Sequence, residues 1–296
     1  MMDKRAEQTK NAGIYGIIGN IFLLIIKGLV GFVSKSQAMI ADSINSAGDI
    51  FASLMTFIGN KIASEPNDED HNFGHGKAEY IFSMFISISM ILVSAKLLYD
   101  SIMTLILGSQ LIFSWFLVAV CGITIITKIS LYIYVKRIYK KYNNILLQAN
   151  MADHRNDCIV TTFTLISILL TRINIYWFDS VVGIGISIWI CYTGVKIFLE
   201  SYNVLMDRSV DEKTKDIILD LAHSYKDIKK IKDISSSPVG YKYMIFLTIQ
   251  VDGEMTTNDS HNLADCLELD ISKLEKVYKA IVHVEPYKEE ESKEKL

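Results

Sequence analysis

Six stretches of this sequence are apolar over about 20 residues or more, which is the length a helix needs to cross a lipid bilayer. They cover residues 12–33, 38–60, 80–107, 111–135, 146–171 and 176–199. Because 50% of the 296 residues are hydrophobic and only 3 are prolines, an ordinary soluble domain of this size is excluded. The sequence predicts an α-helical membrane protein with six transmembrane helices.

Basic residues in the short connections between these stretches predict how the helices cross the membrane. Three precede the first stretch and four lie between the fourth and fifth: Lys4, Arg5, Lys10, Lys136, Arg137, Lys140 and Lys141. Residues 108–110, between the third and fourth stretches, carry no charge. Since basic connections stay on the cytoplasmic side, both termini are predicted to lie in the cytoplasm.

The composition becomes polar after Glu200, and the apolar residues now recur in short periodic segments. These segments predict a helix, two strands, a helix and a strand at residues 211–224, 231–236, 241–251, 257–276 and 280–284. The αββαβ order predicts a cytoplasmic α+β domain that is ferredoxin-like. The predicted organisation is a six-helix membrane domain at 1–207, a cytoplasmic domain at 208–290 and a charged tail at 291–296.

Acidic residues interrupt the second and fifth stretches, so these two are the weakest spans when transmembrane helices are identified by hydropathy alone. Asn45 and Asp49 are four residues apart in the second stretch, and Asp153 and Asp157 repeat that spacing in the fifth. Residues four apart share one face of a helix. A carboxylate inside a bilayer is costly unless it faces a partner, water or an ion. Two such helices, packed side by side, would close these four side chains around one cation.

Hydrogen bonding between helices is the alternative explanation for polar residues inside a membrane bundle. Three acids and one asparagine carry more negative charge than mutual hydrogen bonds neutralise, which favours a metal site. Asp42 lies on nearly the same helix face, one turn nearer the start of the helix, and is not counted as a ligand.

Four motifs carry a resemblance to a known family: GDIFASL in the second stretch, HNFGHGKAE after it, DHRND in the fifth and LMDR at the end of the sixth. In length, order and motifs the chain resembles the cation diffusion facilitator family of proton-coupled divalent-metal exporters. The resemblance implies a homodimer in membrane lipid, with Asn45, Asp49, Asp153 and Asp157 as the transport site. It also implies a secondary transporter rather than an enzyme, without a cofactor, located in a bacterial plasma membrane.

The predicted transport site offers only oxygen atoms, whereas zinc exporters of the family place a histidine in one of these four positions. Imidazole suits zinc, while carboxylate and amide oxygens suit harder ions such as manganese. The set resembles the manganese-exporting subgroup, so Mn²⁺ is the expected cargo. Fe²⁺ is the next candidate, and Zn²⁺ or Co²⁺ are further alternatives within the family.

The acidic loop after the second stretch contains a second group of potential ligands, Asp68, His71 and His75. The resemblance implies a metal site there, because matching residues bind metal at the membrane surface in some family members. A solvated loop, in which His75 serves a turn between Gly74 and Gly76, is the equal alternative. Even an incomplete site would raise the local cation concentration.

Lys77 and Asp207 are far apart in sequence, but both are predicted to lie at the cytoplasmic face of the membrane. The resemblance implies that they form a charge interlock near the dimer junction. Taken alone, each would be an ordinary interfacial charge.

The C-terminal domain holds three residues, His261, His283 and Glu285, that match regulatory metal ligands of the family. Two further positions that are histidines in zinc exporters are Lys232 and Thr248 here, so the site is depleted. Weak metal binding and an ordinary dimer-forming domain with surface histidines are equal alternatives. His154 and His223 are assigned no role.

Two other classes of function, a metalloenzyme and a metal sensor or scaffold, are alternatives to transport. A membrane-bound metalloenzyme would use the same acids around an activating ion, but the sequence has no HExxH, GxGxxG or P-loop motif. A metal sensor or scaffold would bind without transport, and the sequence offers no separate output domain. A net charge of −3 with scattered basic residues excludes the broad positive surface of a nucleic-acid-binding protein.

Overall fold

The computed structural model describes residues 2–33, 37–108, 114–173, 175 and 177–287. The chain divides into two compact units, of which the first contains Met1–Pro66 and Ala78–Tyr202 and the second contains Asn67–Lys77 and Asn203–Leu296. The loop at 67–77 thus groups with the C-terminal residues. The predicted charged tail at 291–296 lies outside the described residues.

The first unit is a bundle of long helices. They are α1 (Met2–Val33), α2 (Gln37–Ala63), α3 (Ala78–Leu107), α4 (Trp115–Tyr142), α5 (Ile145–Leu170) and α6 (Trp177–Leu205). Within the described residues, five of these helices are long and apolar enough to cross a membrane, and α2 is not among them. The prediction of six spans is therefore confirmed for five, and α2 as a sixth span stays a prediction. The acids Asp42 and Asp49 lower the hydropathy of α2, as the sequence indicates.

Local capping explains where α4 and α5 begin and end. The Ser114 side chain accepts a hydrogen bond from the Phe116 amide and caps the start of α4. Asn143 adopts a left-handed conformation with φ of 46° and ends α4, and the Asn144 side chain caps α5. Helix α4 continues to Tyr142, beyond the predicted apolar span at 111–135, through a polar segment that carries Lys136, Lys140 and Lys141.

Small residues bring α1 and α2 into close contact. A Cβ atom built on Gly13 would lie 3.0 Å from the Phe57 Cβ, and one on Gly16 would lie 2.5 Å from the Ser53 Oγ. The Asn20 Nδ2 donates to the same Ser53 Oγ at 3.2 Å. This close packing fixes the depth at which α2 presents its polar face.

The second unit contains the α+β domain that the sequence predicts. Its elements are α7 (Glu212–His223), β1 (Ile228–Val239), β2 (Lys242–Val251), α8 (Thr257–Ser272) and β3 (Val277–Pro286). Strand β2 lies in the middle of the sheet, antiparallel to β1 and parallel to β3. Ile245, Leu247 and Ile249 of β2 are buried in a core with Leu267 and Ile271 of α8. Helix α8 ends before the predicted residue 276, since the chain turns at Lys273 to start β3.

Candidate metal centre

A cavity of about 260 Å³ lies inside the helix bundle, and residues from all six helices line it. Asp49 on α2 and Asp153 and Asp157 on α5 face this cavity. Asn45 lies one turn before Asp49 on α2, but its side chain is outside the described residues. The structure therefore brings three of the four predicted ligands together from two helices.

The position of Asp49 is held through its backbone. The Asn20 Nδ2 on α1 donates a hydrogen bond of 3.0 Å to the backbone oxygen of Asp49. The Asp49 carboxylate faces the cavity, and 20% of the side chain is exposed. The corresponding value for Asp157 is 25%, so both carboxylates can be reached through the cavity.

A lysine that sequence reasoning missed lies between these acids. Lys128 on α4 donates from its Nζ to the Asp49 Oδ2 at 2.7 Å and also to the Asp157 Oδ2. Its side chain is 1% exposed. The signal was present in the sequence, because a lysine in the apolar run of a spanning helix needs an acidic partner. No such partner lies on α4 itself at helical spacing.

His154 is the second residue that sequence reasoning missed. Its ring offers a nitrogen within 4.8 Å of carboxylate oxygens of both Asp153 and Asp157. The side chain is fully buried, and neither ring nitrogen has a hydrogen-bond partner within the described part of the chain. His154, to which the sequence analysis assigns no role, is therefore a further potential ligand beside the predicted oxygen set.

The chemistry of this cluster is that of a cation site. The Asp153 Oδ2 is buried and has no hydrogen-bond partner among the described residues. When ionised, the three carboxylates outnumber the Lys128 ammonium by two negative charges. Buried charge needs a counter-charge or polar partners. A divalent cation would supply the missing charge, with the carboxylate and imidazole groups as its ligands.

The cavity extends from the acids toward one end of the bundle. Lys27 lies near the end of α1, Thr124 near the start of α4, and Lys96 and Asp100 near the end of α3, and all four line the cavity. That end is the one opposite the chain's N-terminus. A cation bound at the three acids would therefore enter or leave through the end of the bundle opposite the N-terminus.

Polar contacts cross the other end of the bundle. The Arg5 guanidinium on α1 lies 2.7 Å from the Glu79 Oε2 on α3, and the Asn144 Nδ2 donates to the Glu79 Oε1 at 3.0 Å. Glu79 and Asn144 are buried. These contacts tie together the beginnings of α1, α3 and α5, and they close the side that carries the N-terminus.

The loop residues Asp68, His71 and His75 also lie together. One ligand atom of each lies within 4.8 Å of the others. The His71 backbone amide donates to the Asp68 Oδ1 at 2.6 Å, and this hydrogen bond holds the pKa of Asp68 below its ordinary value. Asp68 and His71 are exposed. Gly74 has a φ of 74°, a left-handed turn that suits glycine.

The predicted charge interlock has the expected geometry within the second unit. The Lys77 Nζ donates to the Asp207 Oδ1 at 3.0 Å, and the Ser237 Oγ donates to the same oxygen at 3.1 Å. The hydrogen bond from Lys77, with that from Ser237, lowers the pKa of Asp207. Asp207 has a left-handed φ of 54° at the end of α6.

The three C-terminal candidates are not gathered into one cluster. Within the described ranges, His261, His283 and Glu285 do not place three ligand atoms within 4.8 Å of one another. The Lys232 Nζ lies 2.8 Å from Glu285, and its hydrogen bond lowers the pKa of that carboxylate. The Lys232 ammonium thus pairs with Glu285, one of the three predicted ligands.

Family models match nearly the whole chain. One, described as the cation efflux transmembrane domain, matches residues 13–206. The other, described as the cytoplasmic domain of cation efflux proteins, matches residues 210–287. The boundary between the two matches falls after the last helix of the bundle.

Several curated proteins are similar to this chain over most of their length. The manganese efflux system protein MneS of Bacillus subtilis is 28% identical over 281 residues, which cover 94% of this chain and 95% of MneS. MneP, a manganese efflux system protein of the same organism, is 27% identical, with 98% of this chain and 100% of MneP covered. An uncharacterized transporter of Methanocaldococcus jannaschii is 29% identical over 92% of this chain and 96% of its own length.

Proposed function

The chain belongs to the cation efflux family, the cation diffusion facilitators, and from that premise we propose that it exports Mn²⁺ from the cytoplasm in exchange for protons. Members of this family are integral membrane transporters of metal ions and not enzymes, so the metalloenzyme alternative is set aside. The observation that carries the proposal is the convergence of Asp49, Asp153 and Asp157 on one cavity inside the bundle. The Asn45 amide is the fourth proposed ligand.

The choice of Mn²⁺ rests on two supports. Carboxylate and amide oxygens suit a hard ion, and two similar proteins are manganese efflux proteins by name. The buried imidazole of His154 adds a nitrogen donor, which suits Fe²⁺, Co²⁺ and Zn²⁺ as well. Fe²⁺ is therefore the principal competitor in any test of selectivity.

The route of the ion follows from the two ends of the bundle. With the N-terminus placed in the cytoplasm by the basic connections, the cavity leads from the acids toward the outer face. The contacts of Glu79 with Arg5 and Asn144 then close the cytoplasmic end. We propose that loading requires these contacts to open and the cavity to close, as alternating access demands.

Protons and metal compete for the same carboxylates, which couples their movements. An ion leaving toward the outer face exposes acids that accept protons from that side. Transport should then depend on a proton gradient as well as on the metal. The proposed transporter is a homodimer, because its C-terminal domain matches the cytoplasmic domain of cation efflux proteins, and a bacterial plasma membrane is its proposed location.

The test is transport by the purified protein in lipid vesicles that contain a metal-sensitive dye. We expect Mn²⁺ uptake that accelerates when a proton gradient of the correct direction is imposed. Parallel assays with Fe²⁺, Co²⁺ and Zn²⁺ rank the cargo. Metal uptake that ignores the proton gradient would contradict the exchange, and a preference for Zn²⁺ over Mn²⁺ would contradict the choice of cargo.

A further inference from the structure

Lys128 occupies oxygen atoms that the metal needs. Its ammonium donates to the Oδ2 atoms of Asp49 and Asp157, one from each of the two helices that supply the proposed ligands. The side chain is 1% exposed, so water contributes little to its charge stabilisation. The Lys128 ammonium thus forms ion pairs with both acids.

Two buried hydrogen-bond acceptors in the lining of the Lys128 cavity have no donor among the described residues. The Thr124 Oγ1 and the Asn156 Oδ1 are buried without a hydrogen-bond partner among the described residues, and both side chains line the same cavity. Thr124 precedes Lys128 by one helical turn, so the two share a face of α4. Buried polar atoms are nearly always hydrogen-bonded, and each exception calls for an explanation. A second position of the Lys128 ammonium explains both.

We infer that Lys128 is a tethered competing cation, whose ammonium holds Asp49 and Asp157 in the empty site and moves to Thr124 and Asn156 when the divalent ion binds. The inference rests on the proposed function, because it takes the acids as ligands of the cargo. The flexible four-carbon stem of lysine allows such a shift without movement of the helix. The lysine then lowers the affinity for metal and speeds its release.

The inference makes opposite predictions for two substitutions. Lys128→Met removes the competitor, so we expect the Kd for Mn²⁺ to fall about tenfold or more, as loss of a charge-assisted hydrogen bond allows. Thr124→Val removes a destination of the displaced ammonium, so the Kd should rise about threefold. In the double variant the effect of Thr124→Val should vanish, because no ammonium needs that hydroxyl.

The experiment is calorimetric titration of Mn²⁺ into the full-length dimer in detergent, with Asp157→Ala as the blank for other sites. Release is followed in the same samples by rapid mixing with a chelator, and it should be slower in Lys128→Met. Lys61→Gln is the matched control, since it removes an exposed positive charge of α2 that does not line this cavity. Its Kd should stay within about threefold of the original protein.

Unchanged or weaker binding by a folded Lys128→Met dimer would overturn the inference and assign the lysine a positioning role. If Lys128→Met does not form a folded dimer, the Kd values of Lys128→Arg and Thr124→Val test the inference instead. Because Lys128→Arg retains the positive charge, this variant must not bind Mn²⁺ more tightly than the original protein. Unchanged Mn²⁺ binding by Thr124→Val would overturn the proposed shift of the ammonium. Failure of the original protein to bind Mn²⁺ above the blank would instead reject the proposed function.

Discussion

Two clusters of acids and histidine in this molecule have similar ligands and opposite surroundings. Asp153, His154 and Asp157 in the bundle, and Asp68 and its two histidines in the loop, each gather three ligand atoms within 4.8 Å. In the loop, the Asp68 carboxylate accepts a hydrogen bond from the His71 backbone amide and is exposed to solvent. In the bundle, the Asp153 Oδ2 and both nitrogens of His154 are buried without a partner in the described ranges.

The difference shows that ligand type alone does not define a transport site. An exposed carboxylate is satisfied by water and a local hydrogen bond, so a cation adds little to it. A buried carboxylate without enough polar partners has an unfavourable free energy when it is charged. A cation that binds it therefore gains a large stabilisation. We therefore propose that the cargo binds in the bundle and that the loop enriches cations.

The largest expected effect comes from removing one acid of the bundle. Asp157→Ala should reduce Mn²⁺ transport by about a hundredfold or more, because it leaves the buried Lys128 ammonium partly uncompensated and the metal without a ligand. Transport into dye-loaded vesicles measures the loss, and size-exclusion chromatography checks the dimer. Asp100→Ala, which removes an acid lining the same cavity on α3, should keep most transport. Equal losses in both variants would remove the distinction between ligand and lining residue.

The next effect concerns which metal the bundle prefers. Asp153→His replaces a hard ligand by imidazole, so the ratio of Zn²⁺ to Mn²⁺ transport should rise, roughly tenfold. Initial rates of both metals under the same proton gradient give the ratio. An unchanged ratio would indicate that selectivity lies outside the ligands, and His154→Ala would then test whether the neighbouring imidazole already sets it.

A smaller effect is expected from the loop. Asp68→Ala combined with His75→Ala should slow transport by less than about threefold, because exposed charges act weakly through a screened field. Asp70→Ala is the matched control, as it removes an exposed acid of the same loop outside the cluster. Loss of all transport by the double variant, with the dimer intact, would make the loop as important as the bundle and end the comparison.

The smallest effect is expected at the exposed pair of Lys77 and Asp207. Lys77→Gln should lower stability by less than about 1 kcal/mol, as exposed ion pairs do. Asp207 has a lowered pKa in the folded protein, so its contribution is present above the ordinary range of aspartate and is lost only as pH falls through that lowered value. Thermal unfolding in detergent should show the same small difference from about pH 6 to about pH 8. A large difference would indicate an interlock stronger than its exposure allows.

Much of the fold could be predicted because periodicity and hydropathy are local properties of the sequence. The order of elements in the C-terminal domain and the faces of α2 and α5 follow from spacing alone. Helix ends were less accurate, as at α8, which ends at Ser272 rather than at the predicted residue 276. The acids could be found because each pair lies on one helix.

Partners contributed by other helices could not be predicted. Lys128 meets Asp49 and Asp157 only through the packing of α4 against the other helices, and its sequence spacing from them carries no information. His154 lies beside Asp153 in sequence, but a lone histidine there carries no signal by itself, and its approach to both acids is seen only in the structure. A single sequence shows that a charge needs a partner, whereas the structure shows which one it has.

The most direct measurement is the position of Mn²⁺ itself, by anomalous diffraction from crystals of the full-length protein grown with Mn²⁺. The account predicts an anomalous peak inside the bundle, within bonding distance of Asp49, Asp153 and Asp157, that disappears in Asp157→Ala. Peaks confined to the loop at Asp68 or to the C-terminal domain, with the bundle empty at saturating Mn²⁺, would contradict it.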